Sequence, residues 1–197
     1  SSYSGDAVYD RNSWPNIYSS FKELNNIPLY PRGFPWKYRN PRSFNFKTKK
    51  VKGKKVVAIC GFILNDPDID AVTRLAGKIV SIKYKYKKNF VLSKNTNSPF
   101  NSQNTAILRE LIPSYFLFPH IGRYDDIWAS YIVKKIANNK EDYITYGNPI
   151  VVQERNAHNY LVDFEQEKFG LNYNDCFLDI LNNGYIYINC NTKKVSF

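Results

Sequence analysis

Val56-Val-Ala-Ile-Cys-Gly-Phe-Ile-Leu64 is the longest unbroken apolar run in the chain. It falls far short of the roughly 20 residues a membrane-spanning helix needs, and continuous apolar character over so short a length suits a strand covered on both faces. The run is therefore a central strand, and the neighbouring segments are read around it. Upstream, the lysine-rich residues 47–55 read as an exposed turn or hairpin, and residues 1–40 as a loop-rich opening segment broken by Pro15, Pro28, Pro31 and Pro35, with a short amphipathic helix at 16–24. Downstream, Asp66-Pro67 carries the signals of a helix start, with 68–75 continuing it. Residues 78–92 alternate, with Ile82, Tyr84 and Tyr86 opposite Lys83, Lys85 and Lys87, the period of a half-buried strand. A turn is expected at 95–99.

The clearest helix is 124–138, where Ile127, Trp128, Tyr131, Ile132 and Ile136 form one apolar stripe. Gly147-Asn-Pro149 punctuates before a strand at 150–152, and the tail from Cys176 offers a helix and a last strand at 185–190. Strands mixed with helices give an α/β expectation: one domain over 1–197, with the opening segment at 1–40, a core at 41–175 and a tail at 176–197 packed on it.

The 197 residues are 43% apolar and 16% aromatic with no Met, enough to fill one core. The net charge of +11 is uneven: residues 1–109 hold 20 basic against 6 acidic side chains, residues 110–197 hold 8 against 11. The 37–94 region therefore offers a field for a polyanion, an acidic protein or a phosphorylated ligand, or is simply a solvated face. No signal-peptide pattern, membrane span or glycosylation sequon is present, and three cysteines without metal spacing favour a soluble protein in a cytoplasmic-type, reducing setting.

Several constellations could carry chemistry. Asp66, Asp68 and Asp70 could hold a divalent cation, or could simply favour a helix start; the pattern is not an EF-hand. Asp125 and Asp126, beside Arg123 at the start of the clearest helix, suit an ionised general base or a sugar-hydroxyl acceptor, with capping as the alternative. The loop Ser98-Pro-Phe-Asn-Ser-Gln-Asn-Thr105 has the donors and acceptors that read sugar hydroxyls. In Gln153-Glu-Arg-Asn-Ala-His-Asn159, Arg155 or His158 could hold a phosphate, and Arg32 sits in a rigid Pro31-Arg-Gly-Phe-Pro35 bend that could present it to a pyrophosphate. GxSxG, Walker and GxGxxG signatures are absent.

Read in order, Pro31-Arg-Gly-Phe-Pro35, Asp66-Pro-Asp-Ile-Asp70, Pro99-Phe-Asn-Ser-Gln-Asn-Thr105, the block from Tyr115 through Gly122-Arg-Tyr-Asp-Asp126 to Tyr131, and Gln153-Glu-Arg-Asn156 resemble the motifs of STELLO-type glycosyltransferases over residues 9–170. More distantly the chain resembles the reversibly glycosylated polypeptides, the UDP-arabinopyranose mutases. The resemblance implies a GT-A-like mixed sheet flanked by helices, lacking part of the upstream nucleotide-binding half. It implies transfer of a sugar from a nucleotide-sugar donor, most simply a UDP-sugar, to a glycan or protein acceptor. Asp125 and Asp126 become the preferred carboxylates. Arg32, Asp68, Asp70, Arg74, Asn101, Gln103, Asn104, Arg123, Arg155, Asn156 and His158 become donor or sugar contacts, with a manganese or magnesium ion possible and its ligands unknown. The alternative is a non-catalytic remnant that binds glycan or polyanion or serves assembly.

Overall fold

The apolar run forms the inner half of a strand twice its expected length. The computed structural model describes residues 2–9, 13–22, 28–40, 47–77, 83–84, 89–154, 156–184, 187–189 and 194–196. In chain order the elements are β1 (Ser2–Tyr9), β2 (Phe21–Lys22), β3 (Lys47–Leu64), α1 (Ala71–Ala76), β4 (Lys83–Tyr84), β5 (Phe90–Leu92), β6 (Thr105–Ile107), α2 (Asp125–Asn139), β7 (Tyr143–Val152), α3 (Tyr160–Asn183), β8 (Tyr187–Asn189) and β9 (Lys194–Ser196). The expected mixed α/β architecture is what is found. Five strands form one mixed sheet in the order β1-β5-β7-β3-β6, while β2–β4 and β8–β9 form separate two-stranded pairs.

β3 continues without a turn through the lysine-rich stretch because that half has its own partner. Lys47 to Lys55 pair antiparallel with Tyr9 back to Ser2, so part of the supposedly loop-rich opening segment is a strand. The apolar half of β3 runs parallel to β7 on one side and antiparallel to β6 on the other. β1 also pairs parallel with β5, and β5 pairs antiparallel with β7. The pairings β1–β5–β7–β3 thus return to β1, with β6 outside the circuit.

Other boundaries move for physical reasons. α1 starts at Ala71, not at Asp68, because Asp70 is the residue that caps it: its carboxylate accepts from the Thr73 amide at 2.8 Å. β7 begins at Tyr143 and passes through Gly147 and Pro149, with a register shift against β3 between Gly61 and Ile63. The segment at 16–24 gives a 3-10 turn at Ile17–Ser20 followed by β2, and 23–24 lie outside the described residues. Most of the strand expected at 78–92 also lies outside them, leaving β4 and β5. The helix expected from Cys176 is the last part of α3, which begins sixteen residues earlier.

α2 matches its expected span within one residue, but it is buried nearly all round: Ala129, Ser130, Val133 and Lys134 are as enclosed as the apolar stripe. α3 packs against it, with Trp128 stacked on Phe177 at 4.2 Å between ring centroids and the indole donating to Asn174 Oδ1 at 3.2 Å. Two glycines permit this approach. Gly33 has φ +85, and its carbonyl accepts from Asn174 Nδ2 at 2.8 Å and from the Tyr131 hydroxyl. Gly170 faces Tyr124 so closely that an added Cβ would lie 1.9 Å from the ring. Gly170→Ala is therefore expected to lower the unfolding free energy by about 1–3 kcal/mol, read as a lower urea midpoint; an unchanged midpoint would mean α3 can slide without loss.

Both described cysteines are free: Cys60 is buried, which pushes its thiol pKa up, and Cys176 is exposed. Among the described residues no helix is long and apolar enough to cross a membrane.

Candidate functional site

Three separate groups of polar residues emerge from the candidates read in the sequence. The first is interior. The bend at Arg32 is pinned when its amide donates to the Asp68 carbonyl at 3.0 Å. Its guanidinium then grips both Asp68 carboxylate oxygens at 2.9 Å, a fork-to-fork pair. Nη2 also lies 3.1 Å from Asp126 Oδ1 and donates to Oδ2 at 3.3 Å. Asp126 Oδ2 accepts in addition from the Ser102 amide at 2.9 Å and its hydroxyl at 3.2 Å. Arg32, Asp68 and Asp126 are all buried. Burial pushes the Asp126 pKa up, opposed by Arg32 and the Ser102 N–H.

This geometry corrects two expectations. The arginine beside Asp126 is Arg32, not Arg123, because Arg123 turns towards α3. Arg32 is not presented outward either: it is buried, and two carboxylates take its Nε and Nη2 donors. Asp125 is half-buried and accepts from the Asp126 amide at 2.7 Å, holding the first turn of α2. Asp70, fully enclosed, pairs with Arg39 as well as capping α1.

The second group lies outside the carboxyl ends of the parallel strands β3 and β7. β3 and β7 end side by side at Leu64 and Val152, and the Gln153 amide donates to the Leu64 carbonyl at 3.1 Å. The chain leaves both strands around a pocket of about 390 Å³ lined by Asp66, Arg74, Gln153, Glu154, Asn156 and His158. Arg74 Nη2 lies 2.5 Å from Asp66 Oδ1 and donates to the Pro67 carbonyl at 2.8 Å. Its buried Nε has no hydrogen-bond partner among the described residues.

His158 Nδ1 is 3.2 Å from Asp163 Oδ2, and Asp163 Oδ1 is 3.3 Å from Arg123 Nη1. Arg123 Nε in turn donates to Glu167 Oε1 at 3.2 Å, while Glu167 Oε2 accepts from the Ala71 amide at 2.8 Å. Glu167 is almost fully enclosed, and burial pushes its pKa up against the pull of that N–H and two arginines. A polar chain thus runs from the pocket wall to the start of α1. Asp163 and Glu167 were missed in the sequence. They are four residues apart on α3, a spacing that would have shown them on one face once a helix was assigned there.

The third group lines a groove of about 550 Å³ between β3, β6 and β7 that includes Gln103, Asn104, Thr145 and Asn148. Asn101 braces this loop by accepting from the Gln103 amide at 3.1 Å, and Asn104 donates to the Phe62 carbonyl at 3.1 Å. Ser102 ties the loop to Asp126, so the groove and the interior network are mechanically joined. Arg155 lies outside the described residues.

The aspartates at 66–70 do not converge as a cation site. Each faces a different arginine: Asp66 faces Arg74, Asp68 faces Arg32, and Asp70 faces Arg39. Among the described residues no group of three or more His, Cys, Asp and Glu side chains is placed to hold a metal ion. The described side chains therefore do not fit a cation on their own.

In class the chain is a mixed α/β protein with a polar pocket at the carboxyl ends of two parallel strands. Residues 32–195 match the sequence model of the reversibly glycosylated polypeptide family. The chain is 26% identical over 171 residues to UDP-arabinopyranose mutase 1 of Oryza sativa subsp. japonica, covering 84% of this chain and 43% of the rice protein. It is 28% identical over 148 residues to UDP-arabinopyranose mutase 3 of Arabidopsis thaliana, covering 72% of this chain and 37% of that protein. The chain belongs to the reversibly glycosylated polypeptide family. It spans less than half the length of these relatives.

Proposed function

We propose that the pocket at the ends of β3 and β7 binds a UDP-sugar and that the chain works on its glycosyl bond, transferring the sugar to an acceptor hydroxyl. The observation that carries this reading is that Arg74 and the distant loop residues Asn156 and His158 line one pocket of about 390 Å³, a size suited to a small-molecule ligand. Arg74 contacts the diphosphate. Asp163 on Nδ1 orients His158, whose Nε2 takes the acceptor proton as the acceptor oxygen bonds to the anomeric carbon and the bond from that carbon to the diphosphate breaks, releasing UDP. Asp126 acts as a positioning residue, tying Arg32 to the loop that carries Gln103 and Asn104. The resemblance of the motif order to that of STELLO-type transferases favours transfer, and the names of the plant relatives make UDP-arabinopyranose the first donor to try.

The test is calorimetric titration of UDP and UDP-sugars, with and without manganese, into the chain and into Arg74→Gln. Binding that weakens about 10-fold or more in the variant is expected, because a charge-assisted contact is removed. No binding by a folded sample overturns the reading. Binding without turnover in an acceptor screen favours a second reading, a non-catalytic nucleotide-sugar module, which the enclosure of Asp126 supports. The polyanion reading of residues 37–94 is less favoured, because Lys50, Lys55 and Lys94 already face Asp6, Glu110 with Asp142, and Glu141 respectively; a steep salt dependence of RNA or heparin binding would restore it.

A further inference from the structure

A second cavity, sharing no residue with the pocket just described, opens between α2, the end of α3 and the loops around Ser13 and Asn95, with a volume of about 340 Å³. Its lining holds two lysines, Lys134 and Lys135, and no acidic side chain. Lys134 is 2% exposed, and its ammonium nitrogen has no hydrogen-bond partner among the described residues. One helical turn on, the side-chain oxygen of Asn138 is also buried and also without a partner. Residues i and i+4 lie on the same helix face, so a residue with an unused cationic donor and one with an unused acceptor share the wall of one cavity, with both polar atoms enclosed in it.

Leaving either group unsatisfied is costly, and native interiors seldom do so without a ligand, a water or a function. The two needs are complementary: the ammonium calls for an anionic oxygen, the amide oxygen for a hydroxyl. Asn95, Asn97, Asn139 and Asn182 add further amides to the wall, and Trp14, stacked on Tyr38 at 5.7 Å, adds apolar contact. We propose that this cavity is a second ligand site, for a small hydroxylated anion of monosaccharide size, a sugar phosphate or a sugar acid, with Lys134 holding the anionic group and Asn138 accepting from a hydroxyl. The desolvation that lowers the Lys134 pKa is offset by the charge of the anion when it binds.

The experiment uses the full chain. Thermal shift and calorimetry are run with glucose 1-phosphate, glucuronate, inorganic phosphate and uncharged glucose, on the native chain, Lys134→Met and Asn138→Ala. Glucose 1-phosphate or glucuronate should bind the native chain at least 10-fold more tightly than glucose or phosphate, and the preference between the two tells a sugar phosphate from a sugar acid. Lys134→Met should weaken that binding by about 10- to 100-fold, and Asn138→Ala should weaken the sugar anion without changing phosphate. The proposal is overturned if no sugar anion binds, if phosphate alone binds as well as the sugar anion, or if binding survives in Lys134→Met. UDP is titrated in parallel. Its binding should be unchanged in Lys134→Met, which separates this site from the pocket at the ends of β3 and β7 and lets either proposal fail alone.

Discussion

Arg32→Met is expected to lower the unfolding free energy by about 3–5 kcal/mol, the usual cost of removing one partner from a buried ion pair. Arg32 stands between Asp68 and Asp126, and all three are enclosed. Methionine fills much of the volume but leaves two carboxylates facing each other away from water. Both would then resist ionisation, so the variant's deficit should shrink as pH falls through their raised pKa values and widen towards neutrality. Urea unfolding of the variant between pH 4 and 7 checks magnitude and sign together. A midpoint equal to that of the native chain at pH 7 would show that water already solvates the pair. Replacing all three residues by apolar ones of similar size should recover much of the loss, since a buried ion pair often does little better than a packed apolar cluster.

Lys134→Met is expected to act in the opposite direction, stabilising the ligand-free chain by about 4–5 kcal/mol at pH 6. Desolvation lowers the folded-state pKa of Lys134 to about 7, while an unfolded lysine titrates near ~10.4. Below pH 7 the ammonium is charged in both states and the full cost is present. Between 7 and about 10 the unfolded chain holds the extra proton, so native stability rises with pH and the gap to the variant closes. Denaturant unfolding of both proteins across pH 6–10 measures this. A gap independent of pH would show that Lys134 titrates as an ordinary lysine.

How far the sequence could be read depended on whether hydrophobic pattern and burial coincide. They coincide through most of the inner half of β3, Ile59 excepted, and along the apolar stripe of α2, although Asp126, Ser130 and Lys134 of that helix are buried as well. They diverge in α3, whose buried face is Asp163, Glu167, Gly170, Asn174, Leu178 and Leu181. That face has helical spacing, but four of its six residues are not apolar, so hydropathy alone marks only the last two turns. β1 was illegible for a related reason: its strand character comes from pairing with lysines of β3, a partner far off in sequence. Arg32, Asp68 and Asp126, read in the sequence as candidate contacts, meet in one buried network. Which arginine meets which aspartate was set by tertiary packing and could not be counted from spacing. The gathering of Arg74, Asn156 and His158 followed from β3 and β7 ending together, a parallel pairing that the sequence signalled only through their apolar runs.

The circuit of pairings that returns to β1 bears on how the molecule opens and assembles. β1 is held along one side by β3 and, from Asp6 to Val8, along the other by β5. Peeling it away breaks two ladders at once, so its amide protons should exchange with solvent only when the whole domain opens. The same arrangement slows the way in. Asp6 cannot meet Phe90 until the chain between them has been brought round, so closure of the ring is a late and entropically costly event.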